Sequence, residues 1–281
     1  MKIIECPRDA MQGLKDFIPG KRKAKYINQL LKVGFDTIDF GSFVSPKVIP
    51  QMQDTAEVLK LLDLSNTTSK LLAIVANVRG AEEAVRYDEI SYLGFPFSIS
   101  ETFQQRNTNK SIVEALNVLD EIQQLCVKHD KQLVSYISMG FGNPYNDPYD
   151  ADVVSKFTEI LVSLGISIIS LADTIGVSDT DNIAYLYTHL IQDHPEVEFG
   201  AHLHSHPATA IDKIEAAYHA GCRRFDGAIR GYGGCPMAKD DLVGNIATEL
   251  MLSHFENKIP TLGINREAFQ DSMAASTAIF G

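Results

Sequence analysis

Long hydrophobic runs are missing from this 281-residue chain. No apolar stretch reaches the ~20 residues that cross a bilayer, so a membrane-spanning role is not expected. The opening Met1-Lys2-Ile3-Ile4-Glu5 reads as a strand and has no signal-peptide layout. Cysteine is sparse. Cys6, Cys126, Cys222 and Cys235 show neither CxxC spacing nor the density of a disulfide framework, and reduced thiols in a cytoplasmic compartment are the expectation. Positive charge is also short: 25 Lys and Arg face 36 Asp and Glu, for a formal net charge of −11. Nonspecific nucleic-acid binding needs a basic footprint, which this balance argues against. An anionic small molecule remains admissible, because local Lys and Arg can oppose the global sign. No linker or low-complexity segment divides the chain, so a single domain over residues 1–281 is expected.

What is present is alternation. Strands are expected at 2–5, 35–40, 70–77, 90–95, 132–138, 166–172, 196–202 and 223–228. Helices are expected at 22–33, 50–62, 82–86, 111–129, 148–164, 179–193, 207–220 and 242–256, with Ser111 a candidate N-cap. Several strands are nearly all apolar, as when both faces are buried. Eight strand–helix units in about 250 residues fit an α/β fold of the (β/α)8 TIM-barrel type better than an open sheet.

Chemistry in such barrels sits at the C-terminal ends of the strands. The polar residues there are Arg8 and Asp9, Asp39 and Ser42, Asn77, Ser138 and Asn143, Asp173 and Thr174, His202 and His204, and the segment from Arg230 to Cys235. His202 and His204 are two residues apart on one strand, so both imidazoles project to the same face. With the Asp9 carboxylate and the Asn245 amide oxygen they form a mixed nitrogen and oxygen set suited to Mg²⁺, Mn²⁺ or another borderline divalent ion. Alternatively, the pair hydrogen-bonds within the barrel.

Arg8 adjoins Asp9, and strand neighbours do not easily pair, which leaves its guanidinium for a carboxylate or a developing enolate oxygen; a surface salt bridge is the plainer alternative. Gly231-Tyr232-Gly233-Gly234-Cys235-Pro236 is a flexible loop presenting a thiol. It matches neither GxGxxG nor a GKS/GKT phosphate loop. The other three cysteines read as core fillers. Asp39, Asp173 and Glu249 are acid–base or supporting candidates, with Glu249 placed on one helix face with Asn245 and read as structural. His206, before Pro207, reads as a cap or a supporting residue.

Assembled, these residues resemble the 3-hydroxy-3-methylglutaryl-CoA lyase family, within the metal-dependent barrels that include isopropylmalate and homocitrate synthases. The resemblance runs from Ile4 to about Glu249. It is carried by Pro7-Arg8-Asp9-Ala10-Met11-Gln12, Ser42-Phe43-Val44-Ser45-Pro46-Lys47, Pro50-Gln51-Met52, Asp173-Thr174-Ile175-Gly176-Val177, His202-Leu203-His204, Gly233-Gly234-Cys235-Pro236 and Gly244-Asn245-Ile246-Ala247-Thr248-Glu249. It implies that Asp9, His202, His204 and Asn245 hold the metal, that Arg8 stabilises an enolate, and that Cys235 moves a proton. Asp39 and Asp173 join them as catalytic candidates. Lys15 falls where the family has a lysine near the coenzyme A phosphates, and Gln12, Ser42, Asn77 and Asn143 are the remaining substrate-binding candidates.

The implied reaction cleaves a 3-hydroxyacyl-CoA thioester to acetyl-CoA and a keto acid such as acetoacetate, in leucine degradation and ketone-body metabolism. A homodimer is the implied assembly. The chain departs from the family at Ala10-Met11, usually Gly-Leu, at Asp39, usually Glu, and at Ala172, usually Gly. Asn143 stands for Cys, and Ser205-His206 for Asp-Thr. These departures leave open a related lyase or Claisen-type synthase with another acyl substrate, or a non-catalytic CoA-binding barrel.

Overall fold

The computed structural model describes residues 1–234, 243–256, 258–259 and 262–281. Eight parallel strands, β1 (Lys2–Glu5), β2 (Thr37–Ser42), β3 (Lys70–Ile74), β4 (Ile90–Ser98), β5 (Gln132–Ser138), β6 (Ile168–Asp173), β7 (Glu198–Ser205) and β8 (Arg224–Gly227), pair in sequence order. The ring closes through β1 with β8. Helices α1 (Pro7–Gln12), α2 (Gly20–Leu30), α3 (Thr55–Leu59), α4 (Val78–Ala84), α5 (Glu101–Thr108), α6 (Ile112–Lys128), α7 (Ala151–Ser163), α8 (Thr180–Asp193) and α9 (Ala210–His219) follow the strands. The expected (β/α)8 TIM barrel is the fold. None of the described helices is long and apolar enough to cross a membrane.

Local chemistry explains the elements. In β5 only Gln132 is exposed and the next six residues are buried, because helices cover the outer face while side chains fill the barrel. α6 buries Ala115, Leu119, Ile122 and Cys126 along one stripe. Its start is fixed by a capping box: Ser111 Oγ accepts from Glu114 N at 3.2 Å, and Glu114 Oε2 accepts from Ser111 N at 2.8 Å. Inside the ring, Leu72, Ile74, Tyr92, Val134, Tyr136 and Ile168 form a compact apolar cluster. The larger core lies between strands and helices and takes in Cys126 and Cys222, while Cys6 is also buried. These three thiols are free.

At the N-terminal floor, Glu198 accepts from Lys2 Nζ at 2.5 Å and Arg224 Nη1 at 3.1 Å. The Arg224 guanidinium lies 5.6 Å from the Tyr92 ring centroid.

Four expectations need correction. Residues 7–12 are not loop but α1, with Pro7 in the first turn where its missing N–H costs nothing. The helix expected over 50–62 is a 3-10 turn, Pro50–Met52, followed by the short α3. Asn245 is not on the last barrel helix: Gly244–Asn245 is a two-residue strand, β9, antiparallel to β7, and α10 (Thr248–Glu256) starts after it. Glu249 therefore shares no helix face with Asn245; it accepts from Arg230 N at 3.0 Å, a structural contact. Finally, α5 and the C-terminal α11 (Arg266–Phe280) answer to no expected element.

Candidate metal centre

β7 carries His202 and His204 inward at the C-terminal end, and α1 lays Asp9 across the mouth. β9 then sets Asn245 directly opposite His204 in the antiparallel register. The ligating atoms of Asp9, His202 and His204 lie within 4.8 Å of one another. Asn245 Nδ2 donates to Asp9 Oδ2 at 2.6 Å and to the Tyr232 carbonyl at 2.9 Å. Asn245 thus meets Asp9 through its nitrogen, and its Oδ1 is the atom left for a cation. The four residues expected as ligands are brought together.

The histidines are oriented from behind. His202 Nδ1 faces Asp226 Oδ2 at 3.0 Å, and His204 Nδ1 faces the Thr174 carbonyl at 3.0 Å. Both partners are acceptors, so Nδ1 carries the proton and Nε2 the lone pair. His204 is 3% exposed and its Nε2 has no hydrogen-bond partner. A buried imidazole nitrogen with no hydrogen-bond partner, beside a carboxylate, suits a cation, and a partner behind each ring is the usual support of a metal-bound histidine. The residues fit a divalent metal.

Electrostatics agree. Burial pushes the Asp9 carboxyl up, but Arg8, both imidazoles and Asn245 outweigh it and hold Asp9 below its ordinary range. Burial pulls His204 down, helped by His202. Burial also opposes a charged His202, yet Asp226 and Asp9 raise it. Burial lifts Asp39 to about 6 against the pull of Arg8.

Arg8 is not left unpaired as strand geometry suggested. On a helix it reaches its neighbour, so Nη1 donates to Asp9 Oδ1 at 3.1 Å and to Gln12 Oε1 at 2.9 Å. Nε and Nη2 donate to Asp39, at 3.0 and 2.5 Å to Oδ2. Gln12 closes the triangle, donating to Asp9 Oδ1 at 2.6 Å. A guanidinium has five N–H groups; these contacts leave one, on Nη2. Glycine is required at Gly233, φ +90°, where a Cβ would sit 2.8 Å from Asn245 Nδ2 and 2.9 Å from the Asp9 carbonyl.

A cavity of about 330 Å³ opens over these groups, with Val44, Ile74 and Pro96 on its apolar side. Other expected site residues lie elsewhere. Asp173 does not line this cavity: its carboxylate accepts from Val177 N, Ser178 N, Ser178 Oγ and Lys213 Nζ. Asn77 caps α4, accepting from Gly80 N at 2.9 Å, and with Ser42 lines a neighbouring cleft of about 210 Å³. Ser42 Oγ accepts from Val44 N at 3.1 Å. Asn143 bonds both ways within its own loop, to Tyr145 and Asp147. Lys15 is exposed. His206 accepts from Ala208 N at 3.3 Å, a turn cap. Cys235 lies outside the described residues.

Asp226 and Tyr136 were missed. Each sits at an inward strand position, and that parity was the available signal. Tyr136 packs edge-on to His202, centroids 5.5 Å apart.

Comparison with known proteins gives the family. A family model described as HMGL-like matches residues 2–273. A hydroxymethylglutaryl-CoA lyase of Bacillus subtilis is 34% identical over 86% of this chain and 80% of its own. A 3-hydroxy-3-isohexenylglutaryl-CoA/hydroxy-methylglutaryl-CoA lyase of Pseudomonas aeruginosa is 30% identical, covering 100% of this chain and 93% of its own. The structure of an HMG-CoA lyase from Acinetobacter baumannii, in complex with coenzyme A and 3-methylmalate, superposes with a TM-score of 0.90 at 29% identity, over 100% of this chain and 91% of the other. The chain belongs to the HMGL-like family and is a (β/α)8-barrel lyase.

Proposed function

We propose that this lyase cleaves 3-hydroxy-3-methylglutaryl-CoA, or a close 3-hydroxyacyl-CoA, to acetyl-CoA and acetoacetate or the matching keto acid. The bare, buried Nε2 of His204 beside Asp9 and His202 carries the reading. Asp9, His202, His204 and Asn245 would hold a divalent ion, Mg²⁺ or Mn²⁺ by the hardness of the oxygen donors. When bound, the ion supplies Lewis acidity that lowers the pKa of the substrate hydroxyl.

The chain's own residues do the rest. The hydroxyl proton leaves to a base, the carbon–carbon bond breaks as the C=O forms, and its electron pair passes to the thioester as an enolate. Arg8 has one N–H left to meet that enolate oxygen, and Asp39 and Gln12 hold the guanidinium in place for it. Cys235 is the proposed proton donor to the enolate carbon. Gly233 lets its loop run against Asp9 and Asn245.

Lys15, which is exposed, would supply positive charge for the coenzyme A phosphates. The proposal includes one catalytic domain, a homodimer, a cytoplasmic location, and a place in leucine breakdown and ketone-body formation. The apolar cavity side formed by Val44, Ile74 and Pro96 favours a second reading, in which the 3-substituent is larger than methyl. A panel of 3-hydroxy-3-alkylglutaryl-CoA thioesters, assayed for acetyl-CoA release, separates the two. Release with the methyl substrate, abolished by chelation, is expected. A metal-loaded protein that turns over no member of the panel contradicts both readings and favours the non-catalytic barrel.

A further inference from the structure

We propose that Lys213 is a positioning residue: acting through Asp173 and the turn after it, it fixes His204 with Nε2 facing the cation site. The proposal rests on the reading of His204 as a metal ligand. Lys213 lies in the first turn of α9 and is 5% exposed. A positive charge there opposes the helix dipole, and burying it is costly unless it is fully paired. It is fully paired. Its three N–H donors meet three acceptors: Asp173 Oδ2 at 2.9 Å, the His204 carbonyl at 3.1 Å and the Gly176 carbonyl at 3.2 Å.

Two of those contacts act on His204. One holds its own backbone carbonyl. The other anchors Asp173, whose second oxygen accepts from Val177 N at 2.9 Å and whose first also takes Ser178 N and Ser178 Oγ. This winds residues 173–178 into a turn with Gly176 at φ +73°. The turn delivers the Thr174 carbonyl to His204 Nδ1 at 3.0 Å, while Thr174 Oγ1, accepting from Met139 N at 2.9 Å, is pinned by the residue that follows β5. A carbonyl cannot donate, so the ring must keep its proton on Nδ1. One ammonium therefore ties together the ligand's backbone and the turn that selects its tautomer. Asp173, a candidate for direct chemistry by sequence, works here as an anchor.

The test is imidazole ¹⁵N–¹H correlation NMR on metal-free protein, with Mn²⁺ titration alongside. Wild-type His204 is expected as the pure Nδ1–H tautomer. In Lys213→Met it should become a mixture of tautomers, and the Mn²⁺ dissociation constant should rise about 10- to 100-fold, the usual range for residues supporting a ligand. Should that variant fail to fold because Asp173 is left buried and unpaired, the double variant Lys213→Met/Asp173→Asn removes both charges and is expected to show the same mixture. A wild-type His204 protonated on Nε2 overturns the proposal. So does a pure Nδ1–H signal with unchanged Mn²⁺ affinity in whichever variant folds. Failure of the wild type to bind Mn²⁺ would instead strike the metal reading, since the tautomer is read without metal.

Discussion

The two ends of the barrel handle charge in opposite ways. At the floor, Lys2 and Arg224 both pair with the Glu198 carboxylate, and the excess within that cluster is positive. Lys2 and Glu198 keep about a third of their side chains in water, so solvent and the Tyr92 ring absorb that excess. At the mouth, Asp9 and Asp39 share one guanidinium, Arg8, while Asp226 pairs with His202. With neutral imidazoles the formal excess is two negative charges, in residues that are all buried. Water cannot settle it. A divalent cation held there would, which sets a stable base at one end of the barrel against the proposed ion site at the other.

Glu5 shows the other way to bury a carboxyl. It accepts from Ile229 N at 2.9 Å and Thr248 Oγ1 at 2.6 Å with no cation in the set, and burial pushes it up to about 8. It therefore stays protonated at neutral pH, while Asp9 beside Arg8 and the imidazoles is held ionised.

The largest effect should come from removing a ligand. Asp9→Asn keeps the shape but deletes the charge. It is expected to lower kcat by more than ~1000-fold, the loss of several kcal/mol of Lewis-acid stabilisation, in a steady-state acetyl-CoA assay. Retained turnover would break the contrast between mouth and floor. Arg8→Ala is expected next, with kcat down about 100- to 1000-fold, as for loss of a donor to a developing oxyanion. Metal stoichiometry should survive, which separates the enolate role from the ion site.

Glu5→Gln acts on stability and pH. In the folded chain the carboxyl titrates near 8, against an ordinary value of 4.5. Its favourable contribution is thus complete below about pH 4.5 and is lost as pH rises to 8. The variant should flatten the fall in urea stability between pH 6 and 8 by about 2–3 kcal/mol. An unchanged slope would mean that Glu5 is ionised as the mouth carboxylates are. Smallest of all is Glu198→Gln at the floor, expected to cost about 1 kcal/mol or less, as half-exposed ion pairs do, with kcat unchanged. A large drop in kcat would show that the two ends are coupled.

Much of this was legible from the chain. Alternating apolar runs gave eight strands in the right order, and β5 was bounded correctly at Gln132 and Ser138. His202 and His204 were readable because strand parity alone puts them on one face. Other features depend on partners distant in sequence. β9 exists only by pairing with β7, so Asn245 looked helical. The six residues of α1 are too few for a helical period to show, and without that helix the Arg8–Asp9 contact had no geometry. Asp226 lies on the four-residue β8, too short for its inward parity to stand out. Lys213 looked like one more polar helix residue until the fold turned it onto Asp173.

The central claim is that Asp9, His202 and His204 hold one divalent cation. Isothermal titration of Mn²⁺ into metal-free wild type and His204→Gln tests it most directly. The account expects one ion per wild-type chain and, in the variant, affinity weakened by at least about 100-fold, since even residues behind the ligands cost 10- to 100-fold. Equal stoichiometry and affinity in the two proteins would contradict it.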